Sequence, residues 1–426
     1  MKNQKVMNRW LVVVGAILIQ LSLGAIYAWS VFTPALTEAG WSKAQTQDVF
    51  AAGLAFFAIV MVIAGRLMPK IGPRRLAIAG GIVLGIGYVA AGLTGGTSYW
   101  PTLLFIGVVG GSGIGLAYVV PIAVGMRWFP DKKGMITGLA VAGFGFGAML
   151  WVKLAGTWGG LIASLGLGPV FLIYGAVFAI AVLIGGIWMV FPPEGWKPAG
   201  WAPPELKAGA PASNEAAGFG SGEMLRTPQY YMILLTFAFS ASAGLMSIGL
   251  MKLFPGEALQ ANGLSPAEAS AVAGTAMAVF FSLANGIGRI AWGTISDRLG
   301  AKRSIIIMAA TQGVFVIAFQ EMAGTTGLLY LGAALIGFNF GGNFALFPVI
   351  TASTFGTKFI GQNYGWVFLA YGIGGIFGPK LGGELGDMGN FPLAFTICGA
   401  ACLLAAVIAA MVRPPQRRNA QAVRAT

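Results

Sequence analysis

Twelve apolar stretches, each long enough to cross a bilayer, dominate this 426-residue chain. A transmembrane helix needs roughly 20 mostly apolar residues. Runs of that length fall near 10–36, 45–68, 76–96, 100–127, 134–160 and 168–191, and again near 229–254, 267–295, 304–322, 325–352, 360–384 and 390–412. Only 9% of the residues are charged, against about 25% in a soluble domain, so too few polar side chains exist to cover a water-facing surface. In lipid each backbone N–H and C=O must be satisfied internally, which makes the runs helices. The fold expected is an all-α membrane protein of twelve transmembrane helices in two six-helix halves.

The first run follows Lys2, Lys5 and Arg9, as a secretory signal would. It continues to about Leu36, however, well past the roughly 7–15 apolar residues of a signal, and reads as a retained first span. Pro, Ala, Gly and Ser with Glu194, Lys197, Glu205 and Glu215 give 192–228 the composition of a linker. The expected units are a first half at 1–191, a linker at 192–228, a second half at 229–412 and a basic tail at 413–426.

Lysine and arginine sort the loops. One side carries Lys2, Lys5, Arg9, Lys70, Arg74, Arg75, Arg127, Lys132, Lys133, Arg298, Lys302, Arg303, Lys358 and the tail arginines. The other has Lys43, Lys153, Lys252 and Lys380. The positive-inside rule then puts both termini and the linker in the cytoplasm of a bacterial inner membrane. It also accounts for the net charge of +13 without a nucleic-acid partner. The chain contains no histidine, the commonest proton relay and metal ligand. Cys398 and Cys402 sit four apart in an apolar run and read as packing groups. No metal or cofactor is expected, and an enzyme would need convergent nucleophiles or acids that the spans lack.

The halves repeat. Gly65-Arg-Leu-Met-Pro-Lys-Ile-Gly72-Pro-Arg74-Arg75 follows the second span, and Gly293-Thr-Ile-Ser-Asp297-Arg298-Leu-Gly300-Ala-Lys302-Arg303 follows the eighth, 228 residues later. Pro121 and Pro348 likewise sit near the ends of the fourth and tenth spans. Whole-half repeats place a transporter's substrate near the midplane between the halves. Glycines in such a motif permit tight turns and close helix approach.

At these residues the chain resembles the major facilitator superfamily, whose signature reads Gly-x-x-x-Asp-(Arg/Lys)-x-Gly-x-(Arg/Lys)-(Arg/Lys). Gly293, Asp297, Arg298 and Gly300 match the second copy. In the first copy Gly65, Gly72 and Arg74 match, but Pro69 replaces the acid, so the family's charge relay there is incomplete. Arg127-Trp-Phe-Pro-Asp-Lys-Lys-Gly134, Ser221-Gly-Glu-Met-Leu-Arg-Thr-Pro-Gln229, Phe344-Ala-Leu-Phe-Pro348 and Asn363-Tyr-Gly365 are similar to the oxalate/formate antiporter family, which is related to the monocarboxylate transporters.

Within span eight lies Asn285-Gly-Ile-Gly-Arg289. A cation at mid-membrane costs about 2.5–3.5 kcal/mol on insertion scales, and no acid in the adjacent turns neutralises this one. Arg289 either snorkels toward the inner end or grips a substrate carboxylate with its planar fork. The second reading is preferred, and the resemblance supports it. Asn285, one turn earlier, can orient the guanidinium. It stands where many animal monocarboxylate transporters carry an aspartate, so their titrating pair is absent.

The resemblance implies further site residues. Oxalate carriers have a second cation in span eleven, where this chain has Tyr371. One positive charge suits a monocarboxylate, since a second carboxylate would be desolvated without a charged partner. Tyr27 and Tyr118 align with family tyrosines near the substrate, while Phe340 and Phe344 align with a Trp and a Tyr and offer apolar walls. Each aromatic has packing as its alternative role.

The expected function is proton-coupled, alternating-access transport of a small monocarboxylate such as L-lactate by a single chain, with oxalate/formate-type exchange as the alternative. Acids at membrane level are few: Asp48, Glu321, Glu384 and Asp297. Asp48 is the candidate proton site. The runs Gly110–Gly115, Gly143–Gly147 and Gly372–Gly378 lack the preceding strand and closing Lys-Ser/Thr of a phosphate loop, and read as helix contacts.

Overall fold

The computed structural model describes residues 7–131, 133–156, 158–193, 196–198, 200, 218–356, 359–413 and 415. Lys2, Lys5, Lys132, Glu194, Glu205, Glu215, Lys358 and the tail arginines beyond Arg413 lie outside the described residues, as do most of the expected linker and tail. Among the described residues, twelve long helices carry the fold. In the first half they are α1 (Trp10–Val31), α2 (Lys43–Ile71), α3 (Pro73–Leu93), α4 (Tyr99–Trp128), α5 (Lys133–Ala155) and α6 (Leu167–Gly186). In the second they are α7 (Pro228–Leu250), α8 (Pro266–Leu299), α9 (Ala301–Met322), α10 (Thr326–Phe355), α11 (Ile360–Asp387) and α12 (Phe391–Met411).

Among the described residues, eleven helices are long and apolar enough to cross a membrane. The exception is α11, whose 28 residues include nine glycines together with Lys380, Glu384 and Asp387. It is packed between α2 and α7 and completes the second half.

Local chemistry starts and stops these helices. The Ser42 hydroxyl accepts from the Gln45 N–H to open α2, and Ser265 does the same with Glu268 at α8. Thr227 caps α7 ahead of Pro228, whose missing N–H costs nothing in a first turn. The repeated motif has a backbone counterpart. Gly72 turns from α2 into α3 at φ 83° and ψ 153°, and Gly300 turns from α8 into α9 at φ 83° and ψ 146°. A side chain at either position would be strained.

Several boundaries differ from the sequence expectation. The first span does not run to Leu36: α1 ends at Val31, and Thr33–Glu38 forms a separate short helix with Pro34 in its first turn. The eighth helix runs to Leu299, so Asp297 and Arg298 belong to its last turn rather than to a loop. Glycine lets the halves meet closely. Along α2 and α11, Gly65 abuts the Gly361 carbonyl, Gly372 faces Ala58, and Gly383 faces Ala44. In α5 a Cβ on Gly145 would lie 2.9 Å from the Gly286 nitrogen of α8, the helix that carries Arg289, while Gly143 and Gly147 on either side of it face Ile17 and Leu21 of α1.

Candidate functional site

The site is built around α8. Ala276–Phe281 winds more widely, as a π-helical turn, before regular helix resumes at Ser282. Such insertions re-phase the residues that follow and are frequent at functional sites. Asn285 and Arg289 then share one face, and both are completely buried.

Arg289 is held by neutral groups. Its Nε donates to Asn285 Oδ1 at 3.0 Å, and its Nη1 donates to the backbone carbonyl of Val141 in α5 at 3.1 Å. The Phe344 ring centroid lies 3.9 Å from Cζ and that of Phe144 5.4 Å away. A desolvated cation–π contact of this kind contributes about 2 kcal/mol. Phe344 can approach because Gly341 in α10 presents bare backbone to Asn285 and Arg289. Among the described residues no carboxylate pairs with the guanidinium. Thus Phe344 is more than the apolar wall read from the sequence, because its ring also faces the positive charge.

Three buried donors in this cluster make no hydrogen bond of good geometry to the described residues: Arg289 Nη2, Asn285 Nδ2 and Tyr118 Oη, although the Tyr118 hydroxyl stands close enough to Arg289 to interact with its guanidinium. Buried polar groups are nearly always paired, and these donors surround a cation, so the cluster has the chemistry to receive an acceptor of negative charge. Tyr27 sits on the tightly wound segment Gly24–Val31 of α1. Its hydroxyl and that of Tyr371 in α11 are 2.8 Å apart. The Tyr27 ring packs against Phe144 at 4.8 Å and Phe340 at 5.7 Å, and Tyr371 packs against Phe344 at 5.4 Å. Seven expected residues therefore come together: Arg289, Asn285, Tyr27, Tyr118, Phe340, Phe344 and Tyr371. Phe344 is 1% exposed and the other six are 0% exposed, so solvent does not reach the cluster.

Other neighbours were not singled out from the sequence. Phe144 lies inside the glycine run read only as a helix contact, and the Val141 carbonyl has no sequence signal at all. Tyr364, from Asn363-Tyr-Gly365, places a further unpartnered buried hydroxyl near Tyr118 and Arg289. Phe57 and Phe368 flank Tyr118 at 4.9 and 5.5 Å.

Asp48 lies apart from this cluster. Its Oδ1 is 3.3 Å from Lys380 Nζ in α11, and Tyr99 donates to its Oδ2 at 3.0 Å. Beside it Lys43 pairs with Glu257, and the Asp387 carboxylate accepts from the N–H groups of Lys43 and Ala44, each at 3.1 Å. A polar latch therefore joins α2 to the second half at one end of the bundle. At the opposite end Gly65 packs on Gly361, and the Arg66 guanidinium lies 5.0 Å from the Trp366 ring. There Gly72 and Gly300 form the turns and Gly293 is buried. Arg74, Asp297 and Arg298 are exposed, with no ion pair among the described residues. Two of the motif stretches hold each other: Ser221 Oγ bonds Asn363 Oδ1 at 2.9 Å, and Asn363 Nδ2 donates to the Phe219 carbonyl at 2.9 Å.

Comparison with known proteins agrees with this architecture. The model for the Major Facilitator Superfamily matches residues 12–260 and 243–426. The chain is 29% identical over 377 residues to the uncharacterized MFS-type transporter YhjX of Escherichia coli, covering 87% of this chain and 86% of that one. It is 27% identical over 419 residues to the oxalate:formate antiporter of Oxalobacter formigenes, covering 96% and 93%. It is 25% identical over 399 residues to monocarboxylate transporter 13 of Rattus norvegicus, covering 92% and 86%. Twelve helices in two halves turned by matching glycines, and a family match across both, are what one lineage of membrane transporters has in common: this chain belongs to the Major Facilitator Superfamily.

Proposed function

We propose that this transporter moves a small monocarboxylate such as L-lactate by alternating access, with a proton. The observation that carries this reading is the fully buried Arg289, faced by rings and carbonyls and still holding an unpartnered Nη2 beside Asn285 Nδ2 and Tyr118 Oη. A carboxylate supplies both the charge and the acceptors that those donors need. A single guanidinium matches a single carboxylate. Tyr371 stands where the resembling oxalate carriers have a lysine, and Phe340 with Phe344 suits an alkyl end.

Closure around the substrate isolates it from water, and opening must break one latch at a time. Asp48 is the proton site in this reading. Protonating it removes the attraction for Lys380 across α2 and α11 and favours opening at that end. Both termini and the 192–228 linker face the cytoplasm of a bacterial inner membrane, with the first half at 1–191 and the second at 229–412. The carrier works as one chain, because both halves of the site come from it.

A second reading, exchange of carboxylates without a proton, is favoured by the similarity to the oxalate:formate antiporter over 96% of this chain. Uptake of labelled lactate, formate and oxalate into proteoliposomes, with and without a pH gradient, separates the two. Lactate uptake driven by an inward proton gradient is expected. Oxalate uptake that depends only on internal formate would replace the first reading with the second.

A further inference from the structure

Tyr364, Phe368 and Tyr371 recur at helical spacing in α11 and so form one stripe along it. Their rings touch in order: the Tyr364 and Phe368 centroids are 5.7 Å apart, and those of Phe368 and Tyr371 are 4.9 Å apart. Across the halves, Phe368 lies 5.5 Å from Tyr118 and 5.0 Å from Phe57. The stripe is therefore the wall that α11 contributes to the Arg289 cluster. Tyr364 is its end nearest the contact between Gly65 and Gly361.

The two tyrosines of the stripe differ in one respect. The Tyr371 hydroxyl is bonded to Tyr27, whereas the Tyr364 hydroxyl is buried with no hydrogen-bond partner among the described residues. It lies close enough to Tyr118, Arg289 and Tyr27 to interact with them electrostatically. The first turn of α11 is pinned on either side of it. Asn363 Nδ2 donates to the Phe219 carbonyl and its Oδ1 accepts from Ser221, each at 2.9 Å, and Gly365 faces Val62 of α2.

Phenylalanine would fill the same space without burying an unsatisfied hydroxyl, whose desolvation costs stability. The carboxylate of the proposed substrate already has Arg289 Nη2, Asn285 Nδ2 and Tyr118 Oη to meet it. An ionised carboxylate only accepts, whereas a tyrosine hydroxyl both donates and accepts. An alcohol next to the carboxylate uses both capacities, and a keto oxygen uses the first.

We propose that Tyr364 is a specificity-determining residue of this site. Its hydroxyl bonds the oxygen on C2 of the substrate and so selects 2-hydroxy and 2-oxo monocarboxylates over plain ones. The assignment rests on the carboxylate reading of Arg289. Without such a bond, a C2 oxygen would be desolvated uncompensated among the rings of Phe340, Phe344 and Phe368, and the plain acid would bind better.

The test is equilibrium binding of L-lactate, pyruvate and propionate to purified full-length carrier in detergent, by isothermal titration calorimetry. Propionate is lactate without its C2 hydroxyl. The unmodified protein should bind lactate and pyruvate about threefold or more tightly than propionate. Tyr364→Phe keeps the ring packing on Phe368. It should lower the lactate-to-propionate affinity ratio about three- to tenfold, the loss of one neutral hydrogen bond. Equal losses for both acids, as a packing role or a contact to the carboxylate would give, overturn the assignment, and so does an unchanged ratio. If the variant does not fold, the ligands still test the contact on the unmodified protein, where propionate bound as tightly as lactate overturns it. Arg289→Ala separates the two readings, because it should abolish binding of every acid tested. Binding that survives Arg289→Ala overturns the reading of Arg289 and this assignment with it. Binding that needs Arg289 but shows no C2 preference overturns the role of Tyr364 alone.

Discussion

The hydroxyls of Tyr27 and Tyr371 lie 2.8 Å apart although the two residues are 344 positions apart in the chain and come from opposite halves. This bond lies in the cluster around Arg289 and occupies the hydroxyl of Tyr371. If the substrate binds at Arg289 as proposed, its exchange has to break or bypass this cross-half bond, which would couple binding to the movement of one half against the other.

Arg289→Ala and Arg289→Lys are each expected to reduce lactate uptake at least tenfold, with insertion into the membrane unaffected. Lysine keeps the charge but cannot bond Asn285, Val141 and a carboxylate together from one planar group. Uptake in proteoliposomes at matched protein content is the measurement. Near-normal activity in either variant would remove Arg289 from the site.

Tyr118→Phe deletes one buried hydroxyl without changing the ring packing against Phe57. A hydrogen bond to a charged group is worth about 1.5–3 kcal/mol, so lactate affinity should fall roughly ten- to a hundredfold. An unchanged affinity would place Tyr118 among the packing residues.

Phe344→Leu keeps an apolar wall and loses the ring 3.9 Å from the guanidinium. The expected cost is about 1–2 kcal/mol in binding or in thermal stability of the purified carrier. Phe340→Leu serves as the comparison, because Phe340 packs on Tyr27, Phe281 and the edge of Phe344 and its ring is not stacked on the Arg289 guanidinium. Equal effects of the two changes would argue against a charge-specific role for Phe344.

Tyr371→Lys should shift preference from lactate toward oxalate. It adds a second cation but also breaks the bond to Tyr27, and it buries a lysine close to Arg289. Lactate transport should therefore fall more than oxalate transport rises. Competition of unlabelled oxalate and lactate against labelled lactate reports the ratio. If the unmodified protein already prefers oxalate to every monocarboxylate, charge counting does not set its selectivity.

Asp48→Asn mimics the protonated carboxyl and loses the ion pair with Lys380. Because these side chains are 28% and 47% exposed, the stability cost should stay below about 1 kcal/mol. Transport should lose its response to a pH gradient while lactate–lactate exchange continues. Undiminished gradient-driven uptake would move the proton site elsewhere.

Much of this architecture was legible in the residues themselves. Apolar length determined the helices, because lipid leaves the backbone no other way to satisfy its polar groups. The Gly72 and Gly300 turns were readable as a repeat because the conformation they adopt nearly requires glycine. Arg289 stood out because an uncompensated cation is rare at that depth. Other features depend on which faces of distant helices meet, and periodicity does not report that. Every span here is apolar nearly all round, and α5 and α10 bury residues on most of their circumference. Packing alone decided that Phe344 and Phe144 face the guanidinium, that a Val141 carbonyl serves it, and that Tyr27 meets Tyr371. It also put Asp48 into a latch with Lys380. The sequence determined where the charges and glycines lie along each helix. Only the close approach of the two halves, across glycine backbones such as Gly145 and Gly341, decided which of them share a site.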